Sequence, residues 1–448
     1  MCIRDRLRGG AGLFASRIPL VWPGGAYNNF GFNIGEGSSN DQEFIADVQN
    51  QPIMADLNNL SPSGQIDLFA EDFKLPQVLK INLAADRNLG NGFVATVEGI
   101  FTKDINAVRY ENLNLKPSTQ NLTDAGGDDR PLFLGTQPGF GDDVIDPNYT
   151  FIMLGSNTGE GYSYNIAATL SKRFYKGFSG TISYSYGDSY SLFDATSSQN
   201  NSQWRGFHNV NGRNFEQDAQ RSTFAAGHRI FGQVAYEIEY AKFGKSKLSL
   251  NFNGQSGSNF SYVVGARNFL FIDDGGFDNN ELVYVPDGPG DIPLVPLNFG
   301  GEVFSPEEQW AILDQYIDDN SGLSDHRGDY VERNTGRTPF EFTMDLRFTQ
   351  DLFQDFGGKK NTLQLSVDIF NFTNFLNTEW GRMRFAGSFG NYRLLELENI
   401  TIGGNTSPQY TIATDLIEGD DPWTNNIDDS GFRSSRWQMQ VGLRYIFE

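Results

Sequence analysis

A chain of 448 residues with a formal net charge of −22 has no surplus of cations to neutralise phosphates, which argues against nucleic acid as a partner. The single cysteine, Cys2, leaves no intrachain disulfide and no cysteine-built metal site. Hydrophobic residues make up 38% of the chain, Phe numbers 38 and Gly 50, and no run of about 18 apolar residues exists to form a membrane-spanning helix. Plentiful aromatics with few aliphatics suit strands with aromatic-rich apolar faces.

The start, MCIRDRLRGG, has no apolar stretch behind its charges and is not a signal peptide. We read residues 1–10 as a non-native or truncated start and expect a first strand within 11–22. From there the dominant signal is alternation. Over 162–170 the apolar set is Tyr162, Tyr164, Ile166, Ala168 and Leu170. Over 178–186 it is Phe178, Ile182, Tyr184 and Tyr186, against Ser179, Thr181, Ser183 and Ser185. Over 228–240 it is Ile230, Val234, Tyr236, Ile238 and Tyr240, against Gln233, Glu237 and Glu239. Over 340–350 Phe340, Phe342, Met344, Leu346 and Phe348 oppose Glu341, Thr343, Asp345, Arg347 and Thr349. Over 362–372 Leu363, Leu365, Val367 and Ile369 oppose Thr362, Gln364, Ser366 and Asp368. The chain closes on Trp437, Met439, Val441, Leu443, Tyr445 and Phe447, with mostly polar residues between them. Period two over such lengths predicts β-strands.

The connections separate a soluble sandwich from a barrel. RNLGNG (87–92), FYKGF (174–178), KFGKSK (242–247) and QDFGGKKN (354–361) are tight, Gly-rich hairpin turns. Between the hairpins lie long polar segments, roughly 103–148, 188–227, 259–338 and 374–435, although loops beyond about 15 residues are uncommon in compact domains. Strict short–long alternation is the layout of an antiparallel transmembrane β-barrel with short periplasmic turns and long extracellular loops. In that layout the apolar faces meet lipid, and Glu237, Glu239, Glu341, Asp345, Arg347 and Asp368 face a polar lumen. Phe174, Tyr175, Phe178 and Tyr240 would form a periplasmic aromatic girdle. The last strand would be the closing one, ending at the periplasmic rim.

Three features of the long segments invite a site. FIDDGGFDNNELVYVPDGPGDIP (271–293) places Asp273, Asp274, Asp278, Asn280 and Glu281 at short spacing, hard oxygen donors of the type a Ca²⁺ loop uses. The EF-hand steps are missing, and the same residues serve equally in a turn-forming Asx/Gly loop. SPEEQWAILDQYIDD (305–319) predicts a helix with Ser305 as N-cap, Pro306 at its first position, Glu308 completing a capping box, and Trp310, Leu313 and Ile317 on its packed face. Trp204, Phe207, Trp380 and Trp423 are candidates to contact a sugar or peptide, or to glue loops together. His208, His228 and His326 are scattered and no G-x-S-x-G occurs, so we expect no enzyme and no cofactor beyond that Ca²⁺ candidate.

RWQMQVGLRYIFE (436–448) resembles the closing strand of outer-membrane barrels. LQLSVDIFNFTNFLNTEWG (363–381) resembles the penultimate-strand region of TonB-dependent receptors. Three further stretches are similar to the Oar-like branch of that family: LPQVLKINLAADRNLGNGFVATVEGIFTKDINAVRYENLNL (75–115), FDNNELVYVP (277–286) and SDHRGDYVERNTGRTPFEFTMDLRFTQDL (324–352). The resemblance implies a plugged barrel of about 22 strands in the outer membrane of a bacterium. About ten strands are visible here, so 11–448 is expected to be the C-terminal part of such a barrel, without the plug. The implied partners are outer-membrane lipid, the TonB complex through an N-terminal region missing here, a surface lipoprotein over the loops, and an unidentified small ligand or peptide. The implied function is energised import of a nutrient or peptide-like ligand. A plug-free porin or structural barrel, a soluble adhesin-like β protein and, third, a surface enzyme remain open.

Overall fold

In the computed structural model, the described residues are 5–30, 35–36, 45–50, 61–62, 64–123, 126–133, 144–146, 148–240, 244–266, 280–354, 361–387, 390–399, 408–425 and 435–447. Ten long strands run in an unbroken antiparallel path through one large sheet. In chain order they are β1 (Asp5–Ala15), β2 (Gln77–Gly90), β3 (Phe93–Asn112), β4 (Gly161–Tyr175), β5 (Phe178–Ser191), β6 (Gly227–Tyr240), β7 (Gly244–Gln255), β8 (Glu341–Gln354), β9 (Asn361–Phe370) and β10 (Gln438–Phe447). Each pairs with the one before it in sequence. Among the described residues β1 and β10 each have a partner on one side alone, so the sheet is open at both edges.

The strands flanking all four expected turns pair antiparallel; residues 241–243 and 355–360 lie outside the described residues. The β2–β3 tip is Asn91 and Gly92, with φ of 50° and 81°. The β4–β5 tip is Lys176 and Gly177, with φ of 50° and 78°. Two successive positive φ values are the geometry that matches strand twist in a two-residue hairpin. At Gly177 a Cβ would also lie 2.3 Å from the Glu237 carbonyl oxygen, so glycine is required twice over.

The alternation becomes two continuous faces because antiparallel partners point the same way. One ladder runs Phe178–Tyr236–Leu248–Phe348–Val367–Val441 across six strands. One step along, Glu237–Lys247–Thr349–Ser366–Gly442 crosses five of the same strands on the other face. The six residues expected to face the lumen fall on this polar face, where Arg347 meets Asp368 at 3.4 Å. At the other end of the sheet Arg8 meets Asp86 at 3.3 Å and Glu98 at 3.4 Å. The apolar face is uncovered: Tyr236, Leu248, Val441 and Leu443 are 52%, 49%, 65% and 67% exposed. A sandwich would bury these residues. The six apolar residues of the closing strand, Trp437 to Phe447, are all exposed in the same way.

Two expected boundaries shift. The first strand is Asp5–Ala15 rather than 11–22, and residues 5–10 continue it in register with residues 82–87 of β2. The chain beyond Pro19 forms a helix, Val21–Asn28, which carries Trp22 into a core. The long segment expected from 103 begins only after Asn112, because β3 continues for 20 residues. Its upper part gains the strand Phe151–Thr158 as a new partner. There Val108 and Tyr110 are buried, on the face opposite the exposed Phe101 and Ile105, so the apolar set changes sides of the strand.

By the antiparallel order, all long connections leave the sheet at the end opposite the tight turns. They hold the largest buried core. Its centre is a four-stranded sheet in the order Gly336–Arg337, Asn259–Ala266, Asn391–Asn399, Gln409–Ile412, with the middle pair parallel. The predicted helix is Pro306–Asp319 and its capping box is complete, with Ser305 accepting from the Glu308 N–H and Glu308 accepting from the Ser305 N–H. Leu313 and Ile317 are fully buried and Trp310 packs against the same core. Gln309, also fully buried, ties the helix down: its amide donates to the Val295 and Phe304 carbonyls and accepts from the Ile412 N–H. A buried carboxylate joins further segments. Asp128 accepts from Arg130 at 2.8 Å, Tyr330 at 2.9 Å and Tyr410 at 3.1 Å.

Candidate ligand cavity in the long-loop end

Three long connections enclose a cavity of about 1290 Å³. The β5–β6 connection supplies Phe193, Asp194, Phe207 and His208. The β7–β8 connection supplies Asn280 and Arg333. The β9–β10 connection supplies Asn391, Tyr392, Asp415 and Trp423.

Arg333 organises the floor. Its side chain is nearly inaccessible to solvent, and its guanidinium donates to the carbonyls of Ser191, Leu192, Gln220 and Arg221. It also lies 5.2 Å from the centroid of Phe207, which stacks on Phe193 at 4.7 Å. Asp194 sits nearby and accepts from Ser191 Oγ at 2.6 Å, Ser222 Oγ at 2.5 Å and the Thr223 N–H at 2.8 Å. Burial alone would push this carboxyl up. The Arg333 charge and the three hydrogen bonds outweigh burial and hold it below its usual range.

His208 forms the seam between loops. Asn391 Nδ2 donates to Asn280 Oδ1 at 3.2 Å, which leaves Asn391 Oδ1 as the acceptor for His208 Nε2–H. Burial pushes the imidazole down to about 4, reinforced by Arg333 and Arg213 and opposed by the Asn391 bond and Asp194. The folded state therefore holds His208 neutral where an unfolded chain takes a proton. Unfolding then gains protons between the ordinary histidine pKa and about 4, so stability is lost as pH falls through that window. Hydrogen exchange of residues 191–227 should show a loss on the order of 2 kcal/mol between pH 7 and pH 5. His208→Gln should flatten that dependence. An unchanged slope in the variant would place its origin elsewhere. Asp194 titrates below this range and does not contribute to it.

Of the residues singled out from sequence, Phe207, Trp423 and Asn280 converge here. Asn280 is buried and donates to the Arg205 carbonyl at 2.8 Å. Glu281 is buried 4.0 Å from Arg213. Asp273, Asp274 and Asp278 lie outside the described residues. Trp204 is fully buried in a second core, where its Nε1–H donates to Asn214 Oδ1 at 2.9 Å, so its ring offers no surface to a ligand. Trp380 is 47% exposed and does not line the cavity. Sequence reading missed Asp194, Arg333, Asn391, Asp415, Asp420 and Asp421. The Asp420–Asp421–Pro422–Trp423 run was the one local signal available. The others come from segments far apart in sequence and carry no motif.

With this geometry in hand, the sequence model of the outer membrane beta barrel domain family matches residues 4–393. The chain belongs to that family. It is an outer-membrane β-barrel protein. Among solved structures it is similar to the outer membrane transporter YddB from Escherichia coli, with a TM-score of 0.37 and 10% identity. That match covers 79% of this chain, which spans 33% of the transporter's length. A search of the curated proteins finds no match.

Proposed function

We propose that this chain is the C-terminal barrel segment of a TonB-dependent outer-membrane transporter of the Oar-like branch. In this reading it imports a nutrient or peptide-like ligand with energy from the inner membrane, and its role is transport rather than catalysis. The observation that carries the reading is the wall: ten strands with an exposed apolar face, unpaired among the described residues at the outer edges of β1 and β10. Unpaired edges within hydrocarbon are costly because backbone N–H and C=O groups find no partners there. Further strands that close the barrel remove that cost. The loop cavity supports a capture role at the outer end, where a surface lipoprotein could also dock.

The test is the genomic DNA upstream of Leu7. An in-frame extension encoding a signal peptide, a plug and more alternating strands supports the proposal. A stop codon and promoter immediately upstream would sink it and leave a plug-free barrel.

A further inference from the structure

We propose that the outer end of the wall binds the phosphate groups of an outer-leaflet glycolipid through Lys103 and Arg221. The inference rests on the apolar side of the wall being the lipid side and is independent of energised import.

One register row crosses the apolar face at the long-loop end. It runs Leu13, Leu79, Lys103, Tyr162, Tyr190 and Arg221, from β1 through β5 to the short strand Gln220–Arg221. Lys103 is out of place in it. Along β3 it stands between Phe101 and Ile105, both exposed, and across the sheet between Leu79 and Tyr162. Among the described residues of the ten strands it is the single cation on this face away from the tight turns, since Arg87 and Lys172 lie at the turn end. Its ammonium has no hydrogen-bond or ion-pair partner among the described residues. Asp104, next in sequence, falls on the opposite face with Val78.

Depth decides what that ammonium meets. Arg87 and Asp5, an exposed pair 3.6 Å apart, mark the lower polar edge. From Arg87 up to Leu79 the strand runs about 27 Å at about 3.4 Å per residue, or about 20 Å of height at a tilt of about 40°. The apolar band of such a barrel is about 25 Å tall. Lys103, level with Leu79, therefore sits near the top of the band, at the height of lipid headgroups.

Arg221 ends the same row. Its Nε meets Asp188 at 3.3 Å, and the Tyr190 hydroxyl donates to the same carboxylate at 3.5 Å. A guanidinium held through Nε has further N–H groups for a second anion. Three strand spacings separate Lys103 from Arg221, about 14 Å between backbones. Tyr162 and Tyr190 fill the interval, stacked at 4.8 Å, as tyrosines do at a membrane–water boundary. Asp188 is the one carboxylate in this row and in the row below it, Ala11–Ile81–Phe101–Tyr164–Asp188, so two cations face one anion. A free phosphate would meet the charge but leave Leu13, Ile81, Phe101 and Ile105 exposed around it. A ligand with phosphates at its head and acyl chains below satisfies both. An outer-leaflet glycolipid of the lipid A type has that form.

The test uses the intact protein, extracted from outer membranes in mild detergent and stripped of lipid. It is titrated with mixed micelles carrying fluorescent diphosphoryl lipid A, or the same lipid after removal of both phosphates. The phosphorylated lipid should bind at least about tenfold more tightly, a readout that needs no variant to fold. Lys103→Gln combined with Arg221→Gln should remove most of that preference, about tenfold, whereas Arg87→Gln at the turn end should leave it unchanged. An excess of inorganic phosphate should not displace the lipid, because it lacks the acyl chains. Equal binding of the two lipids, an unchanged preference in the double variant, or displacement by inorganic phosphate would overturn the proposal. If neither lipid binds, the lipid-side reading falls with it. A stop codon immediately upstream of Leu7 would instead sink the transporter reading and leave the lipid preference in place.

Discussion

Leu443→Arg should destabilise the membrane-inserted barrel by about 2–4 kcal/mol, the cost of a cation on the lipid face near mid-bilayer. Leu443 sits mid-strand on β10, opposite Leu365 of β9, and is 67% exposed. That exposure makes the result diagnostic. If the face met water, a cation there would be nearly neutral, within about 0.5 kcal/mol. If it meets lipid, the guanidinium must leave water or drag water with it. The internal control is Gln440→Arg, one of the alternate positions on the same strand and paired with Asp368 on the polar face. It should change stability by less than about 0.5 kcal/mol. The measurement is denaturant unfolding in liposomes, followed by heat-modifiable gel mobility. Equal, small effects at both positions would refute lipid contact at this face.

Arg333→Ala should cost the long-loop end about 3–5 kcal/mol, the range for breaking a buried charge cluster by removing one partner. Four carbonyls lose their donor and Asp194 keeps a buried charge without its cation. Arg333→Lys should recover little, because a point charge cannot replace a planar fork that reaches four acceptors. Of the wall strands, only the end of β5 at Ser191 contacts this residue by hydrogen bond. Limited proteolysis should therefore cut residues 191–227 much faster while the β-sheet remains protected. Loops as resistant as in the unaltered protein would show that the guanidinium is not what holds them. Adding Asp194→Asn to Arg333→Ala should return part of the loss, since it removes the stranded charge.

The wall and the loops differ in how much local sequence reveals. Phe340 to Thr349 reads as a strand because apolar and polar residues fall on opposite faces, and that contrast is written at period two. Gly92 and Gly177 mark turns because their backbone needs positive φ. The Ser305 capping box is legible for the same reason: each of its contacts lies within three residues. The extension of β3 was not legible because the apolar set changes sides: Val97, Phe101 and Ile105 are exposed on one face, whereas Val108 and Tyr110 are buried on the other. The loop core was missed too. Leu394, Tyr410 and Val283 are fully buried in short apolar stretches, such as Leu282–Val285, set within long polar connections.

Alternation and turn chemistry were sufficient for the fold class, the strand order, the residues that share the polar face and the outer-membrane location. These depend on neighbours in sequence or on strands joined by tight turns. The cavity required the folded chain. Arg333 meets Ser191 across 142 positions and His208 meets Asn391 across 183. No periodicity encodes such pairs, because the loops are positioned by a core of their own at the watery end, where apolar residues cannot hide in lipid and must bury each other.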